Sequence, residues 1–152
     1  MEPKSAADSR ISTALVVLPS HTNPAGNLHG GEVMRLMDST AGVVAQRHSH
    51  CNPVTVSVDR LIFQQTVKVG DLILCDAELV YTGRTSMAIH VRVRRESLKT
   101  GELTRYAMEG HWLMVALDEN KRPTPVPPLK IETPEQQKIF EEYEKRRKRY
   151  RV

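Results

Sequence analysis

Residues Asn23 to Asp38 read N-P-A-G-N-L-H-G-G-E-V-M-R-L-M-D, and the order of residue types in this stretch decides the fold. Pro24 and Gly26 form a turn that delivers two amides, Asn23 and Asn27, followed by His29. Gly30 and Gly31 then open a helix predicted to run from about Gly31 to His48. Along it Met34, Asp38, Ala41 and Ala45 recur at i, i+4, i+7 and i+11, so a carboxylate lies on or beside the buried face. A polar group there is costly unless it is paired or used. Near a glycine-opened helix N-terminus rich in unpartnered N–H groups, it points to chemistry more than to scaffolding.

Upstream, Ile11 to Leu18 is a short apolar run stopped by Pro19, read as a first strand. Residues 1–10 are small and polar, read as a flexible arm. Downstream, Gly42 is expected to mark a close approach of sheet backbone. His48 and His50 are placed to bond the last helical carbonyls. From Pro53 the period changes to two. Val54, Val56 and Val58 are expected on one side, and the parity shift to Leu61 and Phe63 predicts a bulge near Asp59–Arg60.

Turns at Val69-Gly70-Asp71, Thr82-Gly83-Arg84 and Lys99-Thr100-Gly101-Glu102 separate further strands at Leu72–Tyr81, around Met87–Val93 and at Leu103–Leu117. In the middle one His90, Arg92 and Arg94 form a solvated basic face. The proline-rich Pro123–Leu129 must be extended. Thr133, Pro134 and Gln136 signal a final helix with a capping box, supported by Glu141–Lys145, Glu142–Arg146 and Glu144–Lys148 pairs. The domain organisation is thus an arm at 1–10, one domain at 11–130 and a charged C-terminal helix at 131–152.

The chain has no apolar run near the ~20 residues that a membrane helix needs, and no signal-like segment at its start. Two cysteines, Cys51 and Cys75, give no disulfide framework, so a cytoplasmic location is expected. The pI near 9.2 is a tail effect. Residues 133–152 hold seven Lys/Arg against four Glu, leaving fifteen bases and fourteen acids in the body. That argues against a nucleic-acid-binding core. The basic tail itself is read as a solvated helix end.

One long helix after a first strand, then four antiparallel strands on short turns, makes an α+β sheet wrapped around a central helix, the hotdog fold. Here the chain resembles the hotdog acyl-CoA thioesterases of the acyl-CoA hydrolase branch, which includes cytosolic long-chain acyl-CoA hydrolases and small bacterial relatives. The resemblance rests on Asn23–Asp38 continuing into S-T-A-G, on Val54–Asp59, Val69-Gly70-Asp71 and Gly83-Arg84-Thr85-Ser86-Met87, and on the proline-rich exit. It covers roughly residues 12–130. It implies hydrolysis of acyl-CoA with no cofactor or metal, and paired hotdogs assembled as a hexamer.

Thioester hydrolysis needs a positioned water, a base for it, and donors for the oxygen that becomes negative. Asp38 is the candidate base, or a nucleophile forming a transient anhydride, and Asn27 would orient water or carbonyl. Gly30 and Gly31 offer backbone donors, with His29 positioning that backbone. Asp38 lies seven residues beyond Gly31, about 10 Å along the helix, whereas a base must come within ~3 Å of its water. Two antiparallel central helices in an isologous dimer would bring one subunit's Asp38 to its partner's Asn27 and Gly31. Arg84, Thr85 and Ser86 suit the coenzyme, a loop that lies along it in similar proteins, and Lys121 and Arg122 would meet its phosphates. Met34, Met37 and Phe63 are expected to line an acyl tunnel.

Two rival readings place other chemistry on the same fold. A non-catalytic acyl-CoA sensor would be expected to keep a DNA-binding segment, for which residues 1–10 are too short. A dehydratase would use a His with an acidic partner, and His29 lacks the strand-end context. His48, His50 and Cys51 crowd a helix end and are read as a cap, not a metal site.

Overall fold

The computed structural model describes residues 1–149. A two-residue strand, β1 (Lys4–Ser5), is followed by β2 (Ile11–Val16), the long helix α1 (Gly30–Ser49), β3 (Asn52–Phe63), β4 (Leu72–Thr82), β5 (Ser86–Glu96) and β6 (Leu103–Leu117). A short β7 (Leu129–Lys130) and a second helix, α2 (Pro134–Arg149), complete the described chain. The five long strands form one antiparallel sheet in the order β2-β4-β5-β6-β3. This is the expected α+β hotdog architecture, with α1 against the sheet and an additional helix at the C-terminus.

Alternation builds the core. Ile73, Cys75, Ala77 and Leu79 of β4 and Met87, Ile89, Val91 and Val93 of β5 are fully buried, facing Val33, Met37, Ala41, Val44 and Ala45 of α1. A register shift between Leu79 and Tyr81 turns Tyr81 to the opposite face. There it meets Phe140 of α2 at 4.7 Å between ring centroids and stacks on Tyr143 at 6.4 Å. Thus α1 and α2 lie on opposite faces of the sheet. The predicted solvated face of β5 is partly roofed by α2, and His90, Arg92 and Arg94 are only half-exposed.

Several expectations change. The arm is pinned: β1 runs parallel to β7, Ala6 is buried, and Lys4 Nζ donates to His48 O at 2.9 Å. That lysine, not a histidine, takes the terminal carbonyl of α1, while His48 turns inward to Pro127 O at 2.7 Å. Val54, Val56 and Val58 do not form one row. A register shift between Thr55 and Ser57 leaves Thr55 paired to Met114 and Val58 to Trp112, both on the helix side, with Val54 and Ser57 opposite. The second irregularity, between Asp59 and Ile62, falls at the predicted bulge, with Arg60 at φ 51°. At Gly42 no sheet backbone approaches; a Cβ there would meet only the Met114 methyl at 3.8 Å.

Half of the expected capping box forms, with Gln136 N–H donating to Thr133 Oγ1 at 3.1 Å; the return bond shifts by one residue, Gln136 Oε1 accepting from Glu132 N–H at 2.7 Å and not from Thr133 N–H. None of the three expected i, i+4 ion pairs closes. Arg146 turns instead to Asp59, 3.7 Å away, and lies over the Tyr143 ring. Tyr150, Arg151 and Val152 of the basic tail lie outside the described residues.

Candidate active site

The site begins with Asp38. The buried face of α1 is Val33, Met37, Thr40, Ala41 and Val44, so Asp38 and Met34 sit beside it and are exposed on the single chain. Two side chains fix the carboxylate: Thr55 Oγ1 donates to Oδ1 at 2.6 Å and Trp112 Nε1 donates to the same oxygen at 2.9 Å. Trp112 is 1% exposed and held by Gly110, where a Cβ would fall 2.6 Å from the indole ring and 3.1 Å from Leu61. Both hydrogen bonds use one oxygen, which leaves Oδ2 without a partner among the described residues. That arrangement presents one oriented, unshared carboxylate oxygen to the outside of the chain.

The turn before α1 is organised by Asn23. Its Oδ1 accepts from Ala25 N–H at 3.0 Å and Asn27 N–H at 3.2 Å, and its own N–H donates to Asn27 O at 2.8 Å. With the oxygen engaged inward, the carboxamide NH2 of Asn23 has no acceptor among the described residues. Asn27 spends its main chain on this turn and on a bridge to Lys68, and its side chain makes no hydrogen bond within the described chain. His29 is the N-cap of α1, with Nδ1 accepting from Gly31 N–H at 3.0 Å. Of the two expected glycine donors, Gly31 is therefore engaged, and Gly30 N–H has no acceptor among the described residues. Phe63 lies beside Gly30, 3.8 Å from where a Cβ would stand, whereas Met37 is in the core.

At the far end of the sheet, Gly83 N–H donates to Ser86 O at 2.9 Å and closes the Arg84-Thr85 turn. Arg84 is exposed with no side-chain partner among the described residues, and Ser86 is buried. Thr85 O accepts from Ala116 N–H and Arg84 O from Val126 N–H. The Asp118–Arg122 turn stands beside them, held by Asp118 Oδ1 accepting from the N–H groups of Asn120 and Arg122. Arg84, Thr85, Lys121 and Arg122 thus share one end of the sheet, and all but the half-buried Thr85 are exposed.

A cluster unforeseen in the sequence lies under α2. His90 and His111 stack at 4.5 Å with an interplanar angle of 4°, and His90 Nε2 meets Glu109 Oε1 at 2.7 Å. His111 Nδ1 contacts the Tyr143 hydroxyl, and Arg92 Nε donates to His90 Nδ1 at 3.2 Å. Since Nδ1 of His90 is an acceptor, Nε2 carries the proton and donates to Glu109. The three groups are close enough for a metal, but this donor pattern describes a closed hydrogen-bond network. Burial is the main force lowering both histidine pKa values, and for His111 it acts with His90 and Arg146 to bring the ring to about 4. The other histidine group, at the end of α1, has His48 Nε2 occupied by Pro127 O.

Thr55, Trp112 and this histidine pair were not singled out in the sequence. The Gly110-x-Trp112 spacing, which puts a small and a large residue on one strand face, is the signal that points to the indole.

A family model described as Thioesterase superfamily matches residues 25–102. The chain is 37% identical over 142 residues to the cytosolic acyl coenzyme A thioester hydrolase of Rattus norvegicus, covering 93% of this chain and 37% of the relative. It therefore spans about 37% of the length of that relative. It is 42% identical over 119 residues to an uncharacterised acyl-CoA thioester hydrolase of Zymomonas mobilis, covering 76% of each. Among solved structures, an apo-hexameric acyl-CoA thioesterase superposes with a TM-score of 0.91 at 34% identity over 98% of this chain and 95% of that one. An acyl-CoA hydrolase from Staphylococcus aureus, in complex with butyryl coenzyme A, coenzyme A and coenzyme A disulfide, gives 0.85 at 27% identity over 96% and 88%. The same hydrolase has been solved with an Asn, an Asp or a Thr replaced by Ala.

Proposed function

This chain belongs to the thioesterase superfamily, and from that premise we propose that it hydrolyses acyl-CoA to a free fatty acid and CoA at a site shared by two subunits. The observation that carries the reading is that one chain keeps the parts of the site apart. Asn23 and Gly30 stand at the start of α1, and Asp38 lies about 10 Å along it from Gly31. The Arg84–Ser86 loop is more distant still. From Phe63, beside Gly30, to Asn52, paired with Leu117 near that loop, β3 covers roughly 35 Å at ~3.3 Å per residue. A base must lie within ~3 Å of the water that it activates. Two antiparallel α1 helices in an isologous dimer close the gap, so Asp38 of one subunit serves the helix N-terminus of the other. The exposed apolar residues of edge strand β3 supply a surface for such pairing, and the hexameric neighbour supports further assembly of dimers.

In this site Asp38 Oδ2 takes a proton from water as the water oxygen bonds to the thioester carbonyl carbon. The oxyanion is met by the Gly30 N–H and by an amide NH2. Collapse breaks the carbon–sulfur bond, and the departing thiolate recovers the proton. We assign the amide to Asn23. In the Staphylococcus hydrolase the replaced Asn and Asp are fifteen positions apart and the Thr follows the Asp by seventeen, which are the spacings of Asn23, Asp38 and Thr55 here. Asn27, the amide first expected in that role, closes the turn that presents Asn23. Arg84 and Thr85, with Lys121 and Arg122, meet the coenzyme, while Ser86, expected beside them, is buried and closes the loop through its carbonyl.

The test is release of free thiol from acyl-CoAs, with Asp38→Ala and Asn23→Ala each abolishing it. After subunit exchange the two inactive variants should together regain about a quarter of the wild-type sites, since half of random dimers are mixed and each mixed dimer holds one intact site. Thioester binding without turnover by the wild type would favour the sensor reading. Verified exchange with no recovery would remove the shared site.

A further inference from the structure

The basic end of α2 reaches the turn assigned to the coenzyme. Phe140, Tyr143 and Arg147 follow i, i+3, i+7 and share one face of the helix. The first two rings lock onto Tyr81, which is 4% exposed, and Arg147 Nη1 donates to the Tyr81 hydroxyl at 3.0 Å. This anchoring holds the guanidinium against Gly83. A Cβ at Gly83 would collide with Arg147 Nη1 and would stand 2.5 Å from Ser86 Oγ. Gly83 does not have a positive φ, so its backbone does not demand glycine; a Cβ there would instead push the guanidinium and the Ser86 hydroxyl aside. Ser86 Oγ is itself buried with no hydrogen-bond partner among the described residues.

The charges around this turn are unbalanced. Arg10, Arg94, Arg95 and Arg146 each lie within 4 Å of a carboxylate, at Glu78, Asp76, Asp71 and Asp59. Arg84 and Arg147 have no such partner among the described residues. Two guanidinium groups thus flank one turn, and a planar guanidinium is suited to binding phosphate oxygens two at a time.

We infer that Arg147 is a second cation of the Gly83–Ser86 loop, reaching from the C-terminal helix to bind the phosphorylated end of the coenzyme moiety. This deepens the hydrolase reading and rests on it. It also gives the basic end of α2 a task beyond solvation, because the helix that roofs the outer face of the sheet then completes the binding surface.

The experiment compares an acyl-CoA with the matching acyl-pantetheine thioester, which lacks the phosphates, and measures coenzyme A binding by calorimetry in parallel. Arg147→Ala should raise KM for acyl-CoA and weaken coenzyme A binding about tenfold, with kcat within about twofold and acyl-pantetheine turnover unchanged. Arg147→Lys should recover part of the loss, since it keeps the charge without the fork. An equal loss with both thioesters would make Arg147 a fastener of α2 and overturn the inference, as would no change with either. If the wild type turns over neither thioester, the hydrolase reading fails. Calorimetry then decides Arg147 alone, with an unchanged coenzyme A affinity in Arg147→Ala overturning it and a tenfold loss supporting it.

Discussion

Trp112 and Asp38 are joined by an indole N–H donating to Oδ1 at 2.9 Å, so a ring buried in the core sets the direction of a carboxylate at the surface of the chain. The relationship is asymmetric. Trp112 is locked by packing on every side, and Asp38, on the exposed flank of α1, would otherwise be free to choose among rotamers. With Thr55 on the same oxygen, the only unshared carboxylate oxygen is Oδ2, and its aim is fixed before any substrate arrives.

Replacing the indole while keeping most of its volume isolates this effect. Trp112→Phe should lower kcat about tenfold with KM little changed, because in the proposed mechanism the lost hydrogen bond orients the base and does not bind the substrate. Asp38→Asn should cost far more, on the order of 10²–10⁴ in kcat, the usual range for removing a general base. Steady-state thiol release measures both, and equal losses in the two variants would contradict an orienting role for Trp112.

Gly110 is the support beneath that ring. Gly110→Ala puts a methyl group 2.6 Å from Trp112 and 3.1 Å from Leu61, and overpacking of this kind costs ~1–3 kcal/mol. The urea midpoint should fall and activity should fall with it. In a Trp112→Phe background the same substitution should cost less, since the smaller ring relieves the clash. A cost that is additive in the two backgrounds would mean that the alanine disturbs β6 itself and not the ring.

Periodicity made the elements legible. The switch from a helical to a strand period at Pro53 and the bulge at Arg60 stand in the order of apolar residues, and the α2 cap stands in Thr133 and Gln136. Asp38 was legible because a lone carboxylate beside a core stripe is conspicuous. Its partners were not. Thr55 faces Asp38 only because β3 slips register at Val56, and Trp112 arrives from a strand 74 residues away in sequence. The α2 charges were misread for a related reason: i, i+4 spacing permits ion pairs, but the aromatic anchoring on Tyr81 turns Arg146 and Arg147 toward the sheet. Local rules carry no information about which tertiary surface a helix will meet.

Val56 tests the assembly. It sits in a register shift on the edge strand and is 55% exposed in the single chain, so a charge there costs the protomer little. Val56→Asp should leave circular dichroism and folding of the chain intact while shifting light scattering toward the mass of one protomer. If the site is shared as proposed, thiol release should disappear with assembly. An active, fully assembled Val56→Asp protein would show that β3 takes no part in pairing.

The stacked histidines under α2 give the protein a pH dependence of definite sign. His111 is held near pKa 4 by burial, by His90 and by Arg146, against an ordinary value of 6.5, and burial lowers His90 as well. Around the pair stand Arg92 on β5, Glu109 on β6, Glu78 on β4, Arg60 and Asp59 on β3, and Tyr143 and Arg146 on α2. Between pH 6.5 and 4 the unfolded chain binds protons at these rings that the folded chain refuses, so stability is complete above about 6.5 and declines as pH falls through this window. The first consequence should be loosening of α2, since protonation of His111 sets a positive charge beside His90 and Arg146 and against the Tyr143 contact. Protection factors of the α2 amides, exchange rates corrected for the intrinsic rate at each pH, should fall from pH 6.5 to 4.5 before those of the sheet, and His111→Gln, which cannot protonate, should flatten the slope of melting temperature against pH across that range. Equal protection factors in α2 across the window, or an unchanged slope in His111→Gln, would mean that the stacked pair has no hold on the helix.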